Sequence, residues 1–282
     1  MMGQAECHAG STNMGAMSVS PVVLVTGGAR RLGRTIALEL ARGGFSIALH
    51  YRNSEAEARS TCDDAIALGA RAVALQGDLE DEATCRALLP RAITALGQVD
   101  AVVNNASLFE HDDLATFSQA AMERHWRANT FPAIALAQAL HEHLAARGAS
   151  AKGCVVNLLD QKLWNLNPDH LSYTLSKAAL ETATRMLAPV LAPQVRIVGV
   201  APGVSLEAGP MTGAAFAAAH AMTPLGHAST PDDIARAVRF LLESPAITGT
   251  SLVVDGGQHL TGQQRDVMFL TAGITGHAAP KS

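Results

Sequence analysis

The chain has 282 residues, 48% hydrophobic and 16% charged, enough to bury the core of one large domain or two small ones. A formal net charge of -4 with no block of basic residues excludes the electrostatic footprint of a nucleic-acid or anionic-membrane partner and leaves a small molecule as the expected partner. No apolar run reaches the ~18 residues of a membrane span, and Cys7, Cys62, Cys85 and Cys154 form no Cys-x-x-Cys pair, which argues against a disulfide framework or a metal site and fits a reducing cytoplasm.

Residues 1–20 are rich in Gly, Ser and Met and lack the basic start and apolar centre of a secretory signal, so they read as a mobile extension. From residue 21 to 260, short β-branched runs alternate with longer amphipathic stretches, the pattern of a parallel sheet with helices on both faces. The first strand, Val22–Val25, runs into Thr26-Gly27-Gly28-Ala29-Arg30-Arg31-Leu32-Gly33, and Leu32–Arg42 follows as a helix stopped by Gly43-Gly44. Glycines in such a turn let a dinucleotide pyrophosphate approach the free N–H groups of a helix N-terminus. The second strand, Ser46–His50, leads into His50-Tyr51-Arg52-Asn53-Ser54, with no carboxylate before Glu55 to hold the ribose hydroxyls of NAD. Arg52 and Ser54 suit a 2′-phosphate instead, which points to NADPH. Further strands are expected at Ala72–Gln76, Ala101–Asn104, Cys154–Leu158, Val195–Val200 and Ser251–Val254, so seven strands make one doubly wound domain.

Between the later strands, Phe131–Ala146 and Tyr173–Leu191 read as Ala-rich helices whose small faces suit either core packing or a second copy of the chain. His141 and His143 on the first of these point about 200° apart and are not expected to share a metal. Val204–Thr230 is poor in charge and reads either as a mobile lid or as a helix pair packed on the body, and Thr230-Pro231-Asp232-Asp233 starts a capped helix. Residues 261–282 follow the last strand without periodicity and read as a tail or a partner-contacting arm.

Tyr173 and Lys177, at i and i+4, share one helix face, so the ammonium is expected to lower the phenol's pKa and make Tyr173 an acid for hydride chemistry. Asp160, thirteen residues upstream, is a carboxyl where a hydroxyl would suffice to hold a ketone, which suggests protonation of a ring nitrogen. Asp160 either holds a water, donates to a second nitrogen once burial raises its pKa, or caps the chain after its strand and orients Tyr173. Trp164 and Leu166 are candidates for the pocket wall.

The glycine turn, Asp78 after the third strand, Asn104-Asn105-Ala106 after the fourth, Asn129, Tyr173-x-x-x-Lys177 and Pro202-Gly203 together resemble the short-chain dehydrogenase/reductase family over residues 21–260. Arg31 in place of the turn's middle glycine, Asp160 at the usual serine position, Leu49-His50-Tyr51 and Ala106-Ser107-Leu108-Phe109 are similar to the pteridine reductases and dihydromonapterin reductases. This resemblance implies a single Rossmann-like α/β domain that binds NADPH through Gly27, Arg31, Leu32, Gly33, His50, Tyr51, Arg52, Asn53, Ser54, Asp78, Leu79, Asn105, Ala106, Ser107, Tyr173, Lys177, Pro202, Gly203 and Ser205. It implies a pterin held by Arg31, Ser107, Asp160 and Tyr173 and sandwiched between Phe109 and the nicotinamide. Lys177 would hold the nicotinamide ribose, Asn129 a proton-supplying water path, and four copies would pack through the Ala-rich helices. The reaction expected is reduction of dihydrobiopterin, dihydromonapterin or dihydrofolate; the alternatives are a carbonyl or 3-oxoacyl thioester reductase and a non-catalytic dinucleotide sensor.

Overall fold

A computed structural model describes residues 20–207, 211 and 213–271. The extension expected at 1–20 lies, except for Ser20, outside the described residues. Seven strands form one parallel sheet: β1 Val22–Val25, β2 Ser46–Tyr51, β3 Ala72–Gln76, β4 Ala101–Asn104, β5 Gly153–Leu158, β6 Val195–Pro202 and β7 Ser251–Val254. Their spatial order is β3-β2-β1-β4-β5-β6-β7, with β1 pairing both β2 and β4, so the order reverses between β1 and β4. A crevice outside the carboxyl ends of the strands at that reversal is where an open α/β sheet binds its ligand.

Successive side chains of a strand point to opposite faces, and β1 feeds both layers of the core. Val23 and Val25 join the layer under α1 (Arg31–Arg42), α2 (Glu55–Ala67) and α8 (Pro231–Glu243), built on Ile36, Leu40, Ala58, Ile234 and Val238. Val22 and Leu24 face α3 (Glu82–Leu96), α5 (Phe131–Ala146) and α6 (Leu171–Leu191), where Leu88, Leu136, Leu140 and Leu191 are buried. All seven strands lie where the sequence pattern puts them, with β2, β5 and β6 extended by one or two residues.

Side chains satisfy the free backbone groups at the helix ends. Thr230 and Asp233 form a reciprocal capping box on α8, with Asp233 accepting from the Thr230 N–H at 2.8 Å. At α6, His170 takes the left-handed conformation (φ 54°), and the Asp112 carboxylate accepts from both the Ser172 N–H and its hydroxyl. Asp112 thereby satisfies the first turn of the helix that carries Tyr173 and Lys177. The Val204–Thr230 stretch contains α7 (Gly213–Ala221), whose Ala215 and Ala219 pack with Met211 and Val267. Residues 261–271, expected as the start of a tail, instead fold back on the domain through α9 (Val267–Leu270). Their placement rests on contacts with residues about a hundred positions earlier, which no local periodicity reveals.

Candidate active site

The turn after β1 is built from within. Gly27 adopts φ +61°, and a side chain on Gly33 would collide with the Gly27 carbonyl oxygen, so α1 sits tight against the turn. The Asn105 carboxamide donates to the carbonyls of Thr26 and Gly27 at 2.9 and 3.0 Å, and the Thr26 hydroxyl accepts from the N–H groups of Asn105 and Ala106. His50 is buried, accepting from the Gly27 N–H through Nδ1 at 3.1 Å and donating through Nε2 to Gly77 O. Burial holds its pKa below the usual histidine value, in keeping with a neutral ring that accepts on one side. His50, expected among the cofactor contacts, lines the groove but commits one ring nitrogen to the turn and the other to the carbonyl that follows β3.

Arg31, at the position where a glycine is usual, has φ 53°, a region costing a side-chain-bearing residue about 1 kcal/mol. Its guanidinium donates to the Glu207 carbonyl at 2.6 Å, tying the turn to the chain after β6. Arg30, the N-cap of α1, supplies no side-chain cap, and the first turn has no acidic residue. The free N–H groups of that turn and its dipole therefore suit an incoming phosphate.

Over this turn lies a groove of about 580 Å³, lined by Gly27, Arg31, Leu32, Gly33, His50, Tyr51, Arg52, Asn53, Ser54, Asp78, Leu79, Asn105, Ala106, Ser107, Phe109 and Tyr173. Its length from the β2 end to Tyr173 and its phosphate-ready turn fit a dinucleotide. Arg52 sits at the β2 end in an ion pair with Glu80 at 2.9 Å and near Asp78 at 3.9 Å. A 2′-phosphate would have to draw it partly from these carboxylates.

A second cavity of about 230 Å³ opens beside the groove and shares Leu32, Phe109, Tyr173 and Leu206 with it. Asp160 lines it, accepting a hydrogen bond from the Tyr173 hydroxyl at 2.8 Å through one oxygen and from the Lys162 N–H at 2.9 Å through the other. Asp160 thus both caps the short 3-10 turn Gln161–Trp164 and touches Tyr173. Burial raises its pKa above the ordinary carboxylate value, with nearby Asp266 adding to the effect.

Lys177 departs from expectation. Burial lowers its own pKa to about 8, and its ammonium donates to the Leu158 carbonyl at 2.7 Å and lies 5.8 Å from the Tyr173 ring centre. Tyr173 is raised well above 10, by burial first and then by Asp160, rather than lowered by the lysine. Burial and the carboxyl on its hydroxyl outweigh the ammonium behind its ring. Asn129, in the π-helical turn Trp126–Thr130 between α4 (Gln119–His125) and α5, is buried and accepts from the Leu108 N–H at 2.7 Å and from the Ser107 hydroxyl at 3.2 Å.

Phe109 lies at the junction of both cavities. Its ring stacks on His170 at 4.2 Å and meets Tyr173 edge-on at 4.7 Å. Sequence reasoning missed His170, because only the fold brings it behind Phe109; its left-handed backbone leaves no trace in composition. Pro202, Gly203 and Ser205, expected on the cofactor, line the smaller cavity, where the Ser205 hydroxyl meets that of Ser229. Trp164 and Leu166, expected on the pocket wall, line neither cavity and are 41% and 70% exposed. The outer wall is instead Gln258, Gln263, Asp266, Val267 and Met268.

Residues 27–259 match the family model described as Enoyl-(Acyl carrier protein) reductase. Among solved structures, FolM Alternative dihydrofolate reductase 1 from Brucella canis, complexed with NADP, is 38% identical, covers 87% of this chain and 96% of its own, and has a TM-score of 0.79. Pteridine reductase 1 of Leishmania tarentolae is 31% identical over 285 residues, spanning 86% of this chain and 97% of that protein. A Streptomyces violaceoruber protein named for a ketoacyl-reductase role in the granaticin polyketide synthase is 33% identical over 252 residues, with 86% and 97% covered. With the parallel sheet, the glycine turn and the tyrosine-lysine helix already in place, the chain belongs to the short-chain dehydrogenase/reductase family of oxidoreductases.

Proposed function

We propose that the chain is an NADPH-dependent reductase of a pterin ring, of the dihydrobiopterin, dihydromonapterin or dihydrofolate class. One observation carries the reading: the Asp160 carboxyl, at raised pKa, is joined to the Tyr173 hydroxyl at 2.8 Å on the wall of a narrow cavity that Phe109 also lines. The similarity to FolM of Brucella canis and to Pteridine reductase 1 supports it.

Bound NADPH supplies a hydride to the carbon of a ring C=N bond. The remaining work falls to this chain. The Arg31–Gly33 turn holds the phosphates, with Arg52 and Ser54 taking the 2′-phosphate and Lys177 the nicotinamide ribose. Phe109, backed by His170, offers a flat apolar face for a stacked bicycle. Tyr173 gives its hydroxyl proton to the ring nitrogen as negative charge builds there, and Asp160, whose carboxyl burial makes readier to take up a proton, relays one from solvent to the phenolate. Asn129, held between Leu108 and the Ser176 hydroxyl, supports resupply from solvent. Four copies would pack through α6, whose outer face exposes Leu175, Met186 and Val190.

The function is tested by following NADPH oxidation with dihydropterins, dihydrofolate, quinonoid pterins and acyl thioesters; turnover only on a thioester or a simple ketone overturns the reading. The ketoacyl-reductase relative favours that second outcome, which would normally want a serine at Asp160.

Two further results are expected. Arg52→Ala should raise the Michaelis constant for NADPH about tenfold while leaving that for NADH within about twofold, the loss of one charge-assisted phosphate contact. An unchanged preference between the cofactors would remove Arg52 from the phosphate site. The second concerns pH: Lys177 is charged below its value of about 8 and neutral above it. The kcat/KM for NADPH, which reports the free enzyme, should therefore fall as pH rises through about 8, and a profile flat to pH 10 would contradict the ribose-holding role.

A further inference from the structure

We propose that Asp266 is a positioning residue of this active site: paired with the buried Lys162 ammonium, it pins the C-terminal segment against the cavity and answers a charge that would otherwise fall to Asp160. The inference rests on the part given above to Asp160 in proton supply.

Lys162 is almost wholly buried two residues from Asp160, and its backbone N–H donates to Asp160 Oδ1 at 2.9 Å. Its ammonium donates to the Asp169 carbonyl and to Asp266 Oδ2, the latter at 3.2 Å. A buried ammonium demands a counter-charge. The two carboxylates lining the 230 Å³ cavity among the described residues are Asp160 and Asp266. Asp266 is also fixed on its own side: its Oδ1 accepts from the Met268 N–H at 3.1 Å as the N-cap of α9, and its N–H donates to Asp169 at 2.7 Å. Asp169 in turn is held by the Arg265 guanidinium, so its carboxylate is already spent. Asp266 therefore satisfies Lys162 from a segment whose neighbours Gln263, Val267 and Met268 wall the cavity.

The charges facing Asp160 are Lys162 on its own turn, Tyr173 and Lys177 on α6, and Asp266 on the C-terminal segment. Removing the Asp266 charge leaves Lys162 facing Asp160 and Asp169, of which Asp169 is already paired with Arg265. That favours the ionised form of Asp160 and lowers its pKa; removing Lys162 does the reverse.

The test is an infrared titration of the substrate-free enzyme, reading the protonated-carboxyl stretch that Asp160→Asn abolishes. Asp266→Asn, nearly isosteric and still able to cap α9, should move the midpoint of that band down by about one pH unit or more. Lys162→Met should move it up, the double variant should return it towards the wild-type value, and Asp266→Glu, which keeps the charge, should stay close to wild type. With a dihydropterin, the alkaline limb of kcat should shift in the same directions. An unmoved or raised midpoint in folded Asp266→Asn, or equal shifts in Asp266→Asn and Asp266→Glu, overturns the proposal and leaves the pair a structural staple. Should Lys162→Met fail to fold, the two Asp266 variants decide alone. The infrared reading needs no substrate. Shifts of the expected sign without pterin turnover would therefore defeat the functional reading only, while pterin turnover with an unmoved band would defeat this inference only.

Discussion

Tyr173→Phe is expected to lower kcat for a dihydropterin by about three orders of magnitude, within the ~10²–10⁴-fold span of a lost general acid, with the dissociation constant of NADPH changed by less than about threefold. The two effects separate because the phenol is buried where the groove and the smaller cavity meet, and its hydroxyl bonds to Asp160 rather than to the turn that holds phosphate. Removing the hydroxyl leaves the ring, its edge contact with Phe109 and the helix of Lys177 in place. Stopped-flow reduction at saturating NADPH measures the first effect and fluorescence titration the second. Near-normal turnover would show that the ring nitrogen takes its proton from elsewhere, with Asp160 the next group in the cavity.

Asp160→Ser should cost about a hundredfold in kcat on a dihydropterin and only a few-fold on a simple activated ketone. Serine restores a hydroxyl that can hold a carbonyl oxygen and orient Tyr173, but it cannot return a proton to the phenolate. A carboxyl whose pKa burial has raised can do both. Comparing kcat on the two substrates in one variant cancels losses of folding or cofactor affinity. An equal loss on both would reduce Asp160 to its local part, the cap it places on the Lys162 N–H and the bond that aligns Tyr173.

Much of the fold is legible in the residues because it rests on local patterns. Short β-branched runs, glycine at the α1 turn and Thr230 with Asp233 each act within a few residues, and each lies in the structure where its pattern puts it. The same holds for the groove: residues from the turn after β1, the end of β2 and the Asn105–Phe109 stretch converge because parallel strands carry their loops to one edge of the sheet.

The candidate site residues were named by the sequence alone: a tyrosine and a lysine one helical turn apart, with a carboxyl upstream, can meet in one place only if β5 and α6 follow each other, as they do. The direction in which each group's pKa moves was decided only by the tertiary structure. Spacing places Lys177 near Tyr173 but does not state what else surrounds either group. Burial and the Asp160 bond raise the phenol, while the Leu158 carbonyl takes the ammonium. The cavity's outer wall was equally hidden, since Lys162 and Asp266 meet across 104 positions of chain. Hydrophobic period and turn chemistry are properties of neighbours along the chain, whereas a pKa is a sum over neighbours in space, and those become known only when the chain has closed on itself.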